Sequence, residues 1–322
     1  MKKYLFKRFL TGIFTIFAAL SITFFLSRVA GGNPILAIAG RDNTNPAQLE
    51  YLTEKYGLDK SYPVQYILYI KSVLTGDLGT SIKFNRPVWD IIKEKIPATL
   101  LLALTSSLLS IIIGTYLGVR SARKKGNFFD KFLLNLSYII DSIPVFWLAL
   151  MMIVIFATKL GFLPTSGMFS ARESHEGFAK FIDLLKHMVL PVLTIVIVRI
   201  PFYFRISRNS TIKVMEENFV KILSATGMDS KILYGKYILK NSLIPLITSF
   251  TMSLAGVIGG VAMVEIVFAW PGMGRVLLDA ISSRDYPVIS GLYLIISISV
   301  TLFMLLADLI YVYVDPRIKL ND

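Results

Sequence analysis

Six runs of apolar residues divide the chain, at 9–27, 98–119, 132–158, 188–204, 242–268 and 288–314, with polar stretches between them. Each is close to the roughly twenty residues that a helix needs to cross the roughly 30 Å hydrocarbon layer of a bilayer. The pattern predicts an all-α polytopic membrane protein with about six transmembrane helices. Lys2, Lys3, Lys7 and Arg8 precede the first run. A secretory signal peptide also begins with a basic patch, but its apolar part is shorter and ends at a small-residue cleavage site. The run is therefore read as a retained first span, with a signal peptide as the alternative.

The polar insert over 31–97 is too long for a simple connection. Asn45-Pro46-Ala47-Gln48 supplies an N-cap, a proline at the first helical position and a glutamine placed for a capping box. A helix from there to Gly57, a second over 63–74, turns at Gly76 and Gly79 and a short amphipathic helix over 88–96 make a small extracytoplasmic domain. That domain either helps to dock a partner or merely caps the helices. The layout is then 1–30 as cytoplasmic N-terminus and first span, 31–97 outside, 98–314 as a five-helix core, and 315–322 as a cytoplasmic tail.

The stretch over 218–245 lies between two apolar runs yet is polar and basic, with Lys221, Lys231, Lys236 and Lys240 spread along it. Apolar residues recur at helical spacing on both sides of Gly227: Phe219, Ile222 and Leu223 before it, Ile232, Leu233, Tyr237 and Leu239 after it. Two short amphipathic helices broken at Gly227 fit this pattern, with Asp229 or Ser230 capping the second. Such a loop is either a docking surface for another chain or an ordinary solvated loop whose lysines only fix topology.

Composition agrees with the spans. Hydrophobic residues are 54% of the chain and charged residues 17%, well below the quarter usual in soluble domains. The net charge of +13 resides in loops between apolar runs, so membrane topology explains it better than nucleic-acid binding does. Arg120, Arg123, Lys124, Lys125 and Lys131 crowd one loop, and 205–240 is also rich in lysine and arginine. The positive-inside rule places both of these loops and both chain ends in the cytoplasm. The absence of cysteine removes disulfides, thiolate metal sites and cysteine nucleophiles. His175 and His187 both fall in one loop region.

Ionisable residues within apolar spans are functional candidates, because an unpaired charge in hydrocarbon is expensive. Asp141 lies three residues before Pro144, where it either lines a polar path or pairs with a helix end freed by the proline. Arg199 and Pro201 lie in the fourth run. Glu265 and Asp308 lie near the ends of the fifth and sixth, where snorkelling or a capping pair competes with a direct role. Gly256 and Gly260 form a small-xxx-small pair suited to close helix packing, with pore lining as the second reading. No phosphate-cradling G-x-x-x-x-G-K-[ST], no H-E-x-x-H, no G-x-S-x-G and no Cys/His cluster occurs, so no catalytic or metal-binding set is visible.

Several stretches share a family order. They are Tyr56-Gly57-Leu58-Asp59 with Gly76-Asp77-Leu78-Gly79, Ser142-Ile143-Pro144 with Phe146-Trp147-Leu148, and Gly227 followed by Lys240-Asn241-Ser242-Leu243-Ile244-Pro245. Glu265-Ile266-Val267-Phe268, Trp270-Pro271-Gly272-Met273-Gly274-Arg275, Arg284-Asp285-Tyr286-Pro287 and Asp315-Pro316-Arg317-Ile318 follow. In these the chain resembles the permease subunits of binding-protein-dependent ABC importers, specifically the first membrane subunit of the oligopeptide/dipeptide permease family, which also includes nickel, metal-chelate and oligosaccharide importers. The resemblance implies the type I ABC importer permease fold, a plasma (inner) membrane of a bacterium or archaeon, and alternating access. It implies as partners a homologous second permease subunit, two cytoplasmic ATPase subunits that hold ATP and Mg and hydrolyse it, and an extracellular solute-binding protein, besides membrane lipids. No cofactor is expected on this chain itself.

The resemblance makes 205–241 the coupling loop, with its docking helix over 217–226 and coupling residues Glu217, Phe219, Lys221, Leu223, Ala225, Gly227 and Asp229. Where such permeases commonly carry Glu-Ala-Ala, this chain has Lys221-Ile222-Leu223, which implies a reshaped groove on the cognate ATPase. The rival readings are an ion-coupled secondary transporter built on Asp141, Glu265 or Asp308, a membrane-embedded enzyme, and a scaffold without transport.

Overall fold

The computed structural model describes residues 2–29, 46, 47, 50, 53, 59–170, 176–255 and 261–314. Helices dominate them, and the only pairing of extended backbone among them is an isolated bridge between Thr80 and Pro87. The chain divides into two compact units, Met1–Ala98 with Gly272–Thr301, and Thr99–Pro271 with Leu302–Asp322. The helix expected from Asn45 to Gly57 lies mostly outside the described residues, as do Gly256, Gly260, His175 and the tail after 314.

In the first unit, α1 (Lys2–Val29) is anchored to α2 (Tyr62–Leu74) by aromatic contacts. Phe24 is buried, with its ring 5.3 Å from that of Tyr66 and 5.4 Å from that of Tyr69. Ser21 and Tyr66 share a hydroxyl hydrogen bond of 2.6 Å. The expected turns at Gly76 and Gly79 both form, each at φ +80°, and the Asp77 side chain accepts from the Gly79 N–H at 2.9 Å. Asp285 is fully buried here. Its carboxylate accepts from the Ser81 hydroxyl at 2.5 Å and the Lys83 N–H at 3.0 Å, which fastens the loop before residue 88.

The helix expected over 88–96 and the span expected from 98 are one continuous element, α3 (Val88–Arg123), which passes through Pro97. The third expected span is the opposite case. It divides into α4 (Phe128–Asp141) and α5 (Val145–Met152, continued by a π-helical stretch Ile153–Lys159), inclined at 98° to each other. Pro144 disfavours a helical conformation at Ile143 and carries no N–H with which to continue the ladder. The fourth run is the centre of α6 (Gly177–Met215), far longer than the run itself. At 1.5 Å per residue its 39 residues reach about 58 Å, well beyond a hydrocarbon layer. His187, expected in a loop, is buried within α6, its Nδ1 2.8 Å from the Asp183 backbone oxygen.

α7 (Asn218–Ala225) and α8 (Ser230–Ile232, continued through Leu233–Ile238 and Leu239–Ser242) follow. The fifth expected span is seen as α9 (Ile244–Ala255) and α10 (Ala262–Val267), on either side of undescribed residues 256–260. α11 (Met273–Ser283) and α12 (Tyr286–Val314) are the last described elements. Among the described residues four helices are long and apolar enough to span a bilayer, and five if the bent pair α4–α5 counts as one. This is a multi-pass membrane protein.

Among the described residues of the second unit, a close helix crossing lies at Gly114 and Gly118, which share the i, i+4 spacing of Gly256 and Gly260. A Cβ on Gly114 would lie 2.7 Å from Tyr203 Cβ and 3.1 Å from the Ile200 carbonyl oxygen. One on Gly118 would lie 2.5 Å from the Phe204 carbonyl oxygen and 2.7 Å from Ser207 Cβ. Gly114 and Gly118 thus let α3 and α6 meet backbone to backbone, the role that spacing of small residues serves in membrane helices. Across this seam Ser207 donates to the Thr115 carbonyl at 3.1 Å.

Candidate functional site

The candidate site is the turn-rich segment below α6. The helix stops at Met215 because Glu217 becomes extended, at φ −66° and ψ 148°. The Glu217 carbonyl then accepts from Val220 and Lys221 at 3.1 and 3.3 Å and so starts α7, with no side-chain cap. Val220 turns inward and is 6% exposed, whereas Ile222 is 63% exposed and Phe219 37%. This short helix therefore presents apolar side chains on the side its own chain does not cover. Lys221, Ser224 and Ala225 are also exposed, and Leu223 is half-buried.

The end of α7 explains the glycine. Gly227 N–H donates to the Ser224 carbonyl at 3.1 Å and Met228 N–H to the Leu223 carbonyl at 3.3 Å. This is the paired bonding of a Schellman turn, which requires a left-handed residue at Gly227, here at φ +78°. Asp229, rather than Ser230, caps the next helix and accepts from the N–H groups of Lys231 and Ile232 at 2.7 and 3.3 Å. Between the two helices lies an open groove of about 580 Å³, floored by Val220, Leu233 and Ile238 and rimmed by Lys221, Ser224 and Tyr234.

The groove is held to the bundle through its far wall. The Arg123 guanidinium lies 3.5 Å over the Tyr234 ring, and the Tyr234 hydroxyl donates to the Val119 carbonyl at 3.4 Å. Burial pushes the Tyr234 phenol pKa up, opposed by its hydrogen bond to Arg123. On the near side Lys125 Nζ meets Glu216 Oε1 at 2.7 Å, and this bond holds the exposed Glu216 carboxyl below its ordinary range.

One device at this end escaped the sequence reading. Asp130 is the single acid in the basic 120–131 loop and is 1% exposed. Arg208 grips it bidentately, Nε to Oδ1 at 2.5 Å and Nη2 to Oδ2 at 2.6 Å. The Ser121 hydroxyl also donates to Oδ1, and the Gly126 N–H to Oδ2 at 2.9 Å. One carboxylate thereby staples the end of α3, the start of α4 and the last turns of α6. The lone acid among cations was the available signal, but only the fold supplies Arg208.

The membrane carboxylates differ in their surroundings. Asp141 meets Arg205, Oδ2 to Nη2 at 2.5 Å, so an arginine and not a freed helix end is its partner. Glu265 is fully buried in α10 and accepts from Thr99 Oγ1 at 2.6 Å. Asp308 is half-buried near the end of α12. No group of three metal-ligating side chains occurs among the described residues.

Comparison with known proteins covers nearly the whole chain. The family described as "Binding-protein-dependent transport system inner membrane component" matches residues 110–320, and its N-terminal companion "Binding-prot-dependent transport system membrane comp, N-term" matches 1–103. The chain is 34% identical to the dipeptide transport system permease protein DppB of Alkalihalophilus pseudofirmus, over 99% of this chain and 100% of the relative. It is 32% identical to the oligopeptide transport system permease protein AppB of Bacillus subtilis, again over 99% and 100%. Among solved structures, a chain of the MetNI methionine ABC transporter in an inward-facing conformation superposes with a TM-score of 0.55 at 19% identity, over 70% of this chain and 96% of that one. The likeness shows the permease fold of a type I ABC importer. The family models and relatives span almost every residue, and the fold agrees over 70% of them: this chain belongs to the family of binding-protein-dependent transport system inner membrane components.

Proposed function

We propose that this chain is one of two membrane subunits of an ATP-driven importer of short peptides, and that a cytoplasmic ATPase docks on residues 217–229. The observation that carries the docking assignment is α7, a helix closed by a Schellman turn, whose Phe219 and Ile222 project away from its own chain beside an open apolar groove. A solvated loop has no reason to fix a left-handed turn and a carboxylate cap around exposed apolar residues. The basic loops at 120–131 and 205–240 support placing this face, and with it both chain ends, in the cytoplasm. The names of the relatives support peptide as the cargo, delivered by an external solute-binding protein.

In this reading a homologous second permease encloses the path, and ATP and Mg belong to the two ATPase subunits. Closure of the ATPases drags the docked helices, and these bias the spans between outward and inward states. Partial separation of ATP hydrolysis from transport is then the signature of damage to this segment. The test is deletion of residues 219–226 in the complex purified from its native membrane. The expected result is a membrane-inserted chain that still retains the second permease but no longer retains the ATPases. Unchanged ATPase recovery and unchanged peptide uptake refute the assignment.

A further inference from the structure

Among the described residues, Arg199 is the one arginine of α6 without a carboxylate partner. It lies six residues before Arg205 and twelve after His187, so helix rise puts it about 9 Å from the first and about 18 Å from the second. It thus stands inside the apolar run, at a depth where an isolated charge is costly. The other two arginines on this part of α6 have carboxylates, Arg205 with Asp141 and Arg208 with Asp130. Among the described residues Arg199 has none. Its one side-chain hydrogen bond runs from Nη1 to Ser107 Oγ at 3.1 Å.

A guanidinium has five N–H donors in a planar fork, so one bond to a neutral hydroxyl leaves most of them open. The surroundings are polar by design of the sequence but contribute no anion. Ser106 and Ser110, on the same stretch of α3, turn their hydroxyls onto the Leu102 and Ser106 carbonyls, each at 2.6 Å. One turn along α6, Tyr203 shares a hydrogen bond of 2.7 Å with Ser253 of α9. Ser107, Arg199, Tyr203 and Ser253 therefore bring α3, α6 and α9 together in a polar zone with a positive centre.

We propose that Arg199 receives the terminal carboxylate of the peptide in transit. This rests on the peptide reading above and adds to it the group that is recognised inside the membrane. A carboxylate matches the guanidinium fork bidentately, and no described residue of the chain supplies one. Because the anion arrives with the cargo and leaves with it, the site is strong when filled and empties without breaking a permanent ion pair.

The test uses the complete importer in proteoliposomes with its solute-binding protein. Uptake of a labelled dipeptide and of its C-terminal amide is measured for the wild type, for Arg199→Met and for Arg199→Gln. Methionine removes the charge while keeping an unbranched chain of similar reach, and replacement of a half-satisfied, half-buried charge by an apolar group is compatible with folding. The ratio of variant to wild type is taken for each peptide separately, so the preference of the binding protein cancels. The expected result is at least about a tenfold fall for the acid, with the amide unchanged or faster. Equal falls for both peptides in both variants assign Arg199 to the assembly, as with a carboxylate of the second permease, and overturn the proposal. Unchanged uptake of both overturns it too. A wild type that carries neither peptide, while its ATPases hydrolyse ATP, overturns instead the peptide reading beneath it.

Discussion

Gly227→Ala tests how the docking turn is built. The turn needs φ +78° at this residue, and a Cβ built there would meet nothing within 4 Å. No clash contributes, so only the intrinsic strain of an L residue in the left-handed region remains, about 1–2 kcal/mol. Alanine recovers about 0.4–1 kcal/mol of that by restricting the unfolded chain. The net loss of up to about 1.5 kcal/mol corresponds to a turn that opens up to roughly twelvefold more often. Asparagine tolerates the conformation and loses less, whereas β-branched valine loses more. The assay is hydrogen exchange of the Met228 amide, which donates to Leu223 across the turn, read beside the ATPase retained by the purified complex. Exchange is expected to quicken in the order Gly, Asn, Ala, Val, with ATPase retention falling in the same order. Identical exchange in Asn and Val variants, or a change spread along α6, refutes the reasoning. The same turn recurs at Ala269, φ +49°, with Trp270 N–H bonded to the Glu265 carbonyl at 2.8 Å. There the strain is tolerated because Trp270 is fully buried, while Met228 is only half-buried.

Two further outcomes follow from the packing. Gly118→Ala puts a methyl 2.5 Å from a backbone oxygen, where carbon and oxygen need about 3.3–3.6 Å, so the α3–α6 seam must open by nearly 1 Å. Overpacking of about 1–3 kcal/mol, offset by up to about 1 kcal/mol of helix propensity, predicts a lowered thermal midpoint in detergent, and an unchanged midpoint contradicts the seam. Asp130→Asn leaves Arg208 without its carboxylate; because this staple is sealed by its own partners close to the protein surface, a loss of about 2–3 kcal/mol is expected, toward the low end for a buried pair. Asp130→Asn combined with Arg208→Met is expected to recover part of that loss, and strict additivity in a double-mutant cycle of thermal stabilities argues against the pair.

What could be read from the sequence was local. The amphipathic pattern around Gly227, the carboxylate cap at Asp229 and the turns at Gly76 and Gly79 are set by residues within a turn or two of each other. What could not be read depended on distant partners. Pro97 and Pro144 offer the same local chemistry, yet the helix runs through the first and breaks at the second. Both prolines are exposed, but Ile92, Ala98 and Thr99 are buried on either side of Pro97 and hold the axis, whereas Phe146 and Trp147 beside Pro144 are exposed and do not oppose it. Gly114 and Gly118 show the same i, i+4 spacing in the sequence as Gly256 and Gly260, and only the facing backbone of α6 reveals that this pair carries a close approach. The arginines that answer Asp130 and Asp141 lie more than sixty positions away in the chain, beyond any periodic signal.

The length of α6 has a mechanical consequence. A helix of about 58 Å, stapled near one end through Arg208 and joined there to the loop that carries α7, converts a small angular displacement into a large linear one when it moves as one body through Pro191 and Pro201. A tilt of about 5° at the stapled end carries the opposite end through about 5 Å, the rise of a single helical turn. Neither domain-sized rotation nor refolding is then required for an event at one face of the bilayer to be felt at the other. The gearing is already present in the ratio of the helix length to the membrane thickness.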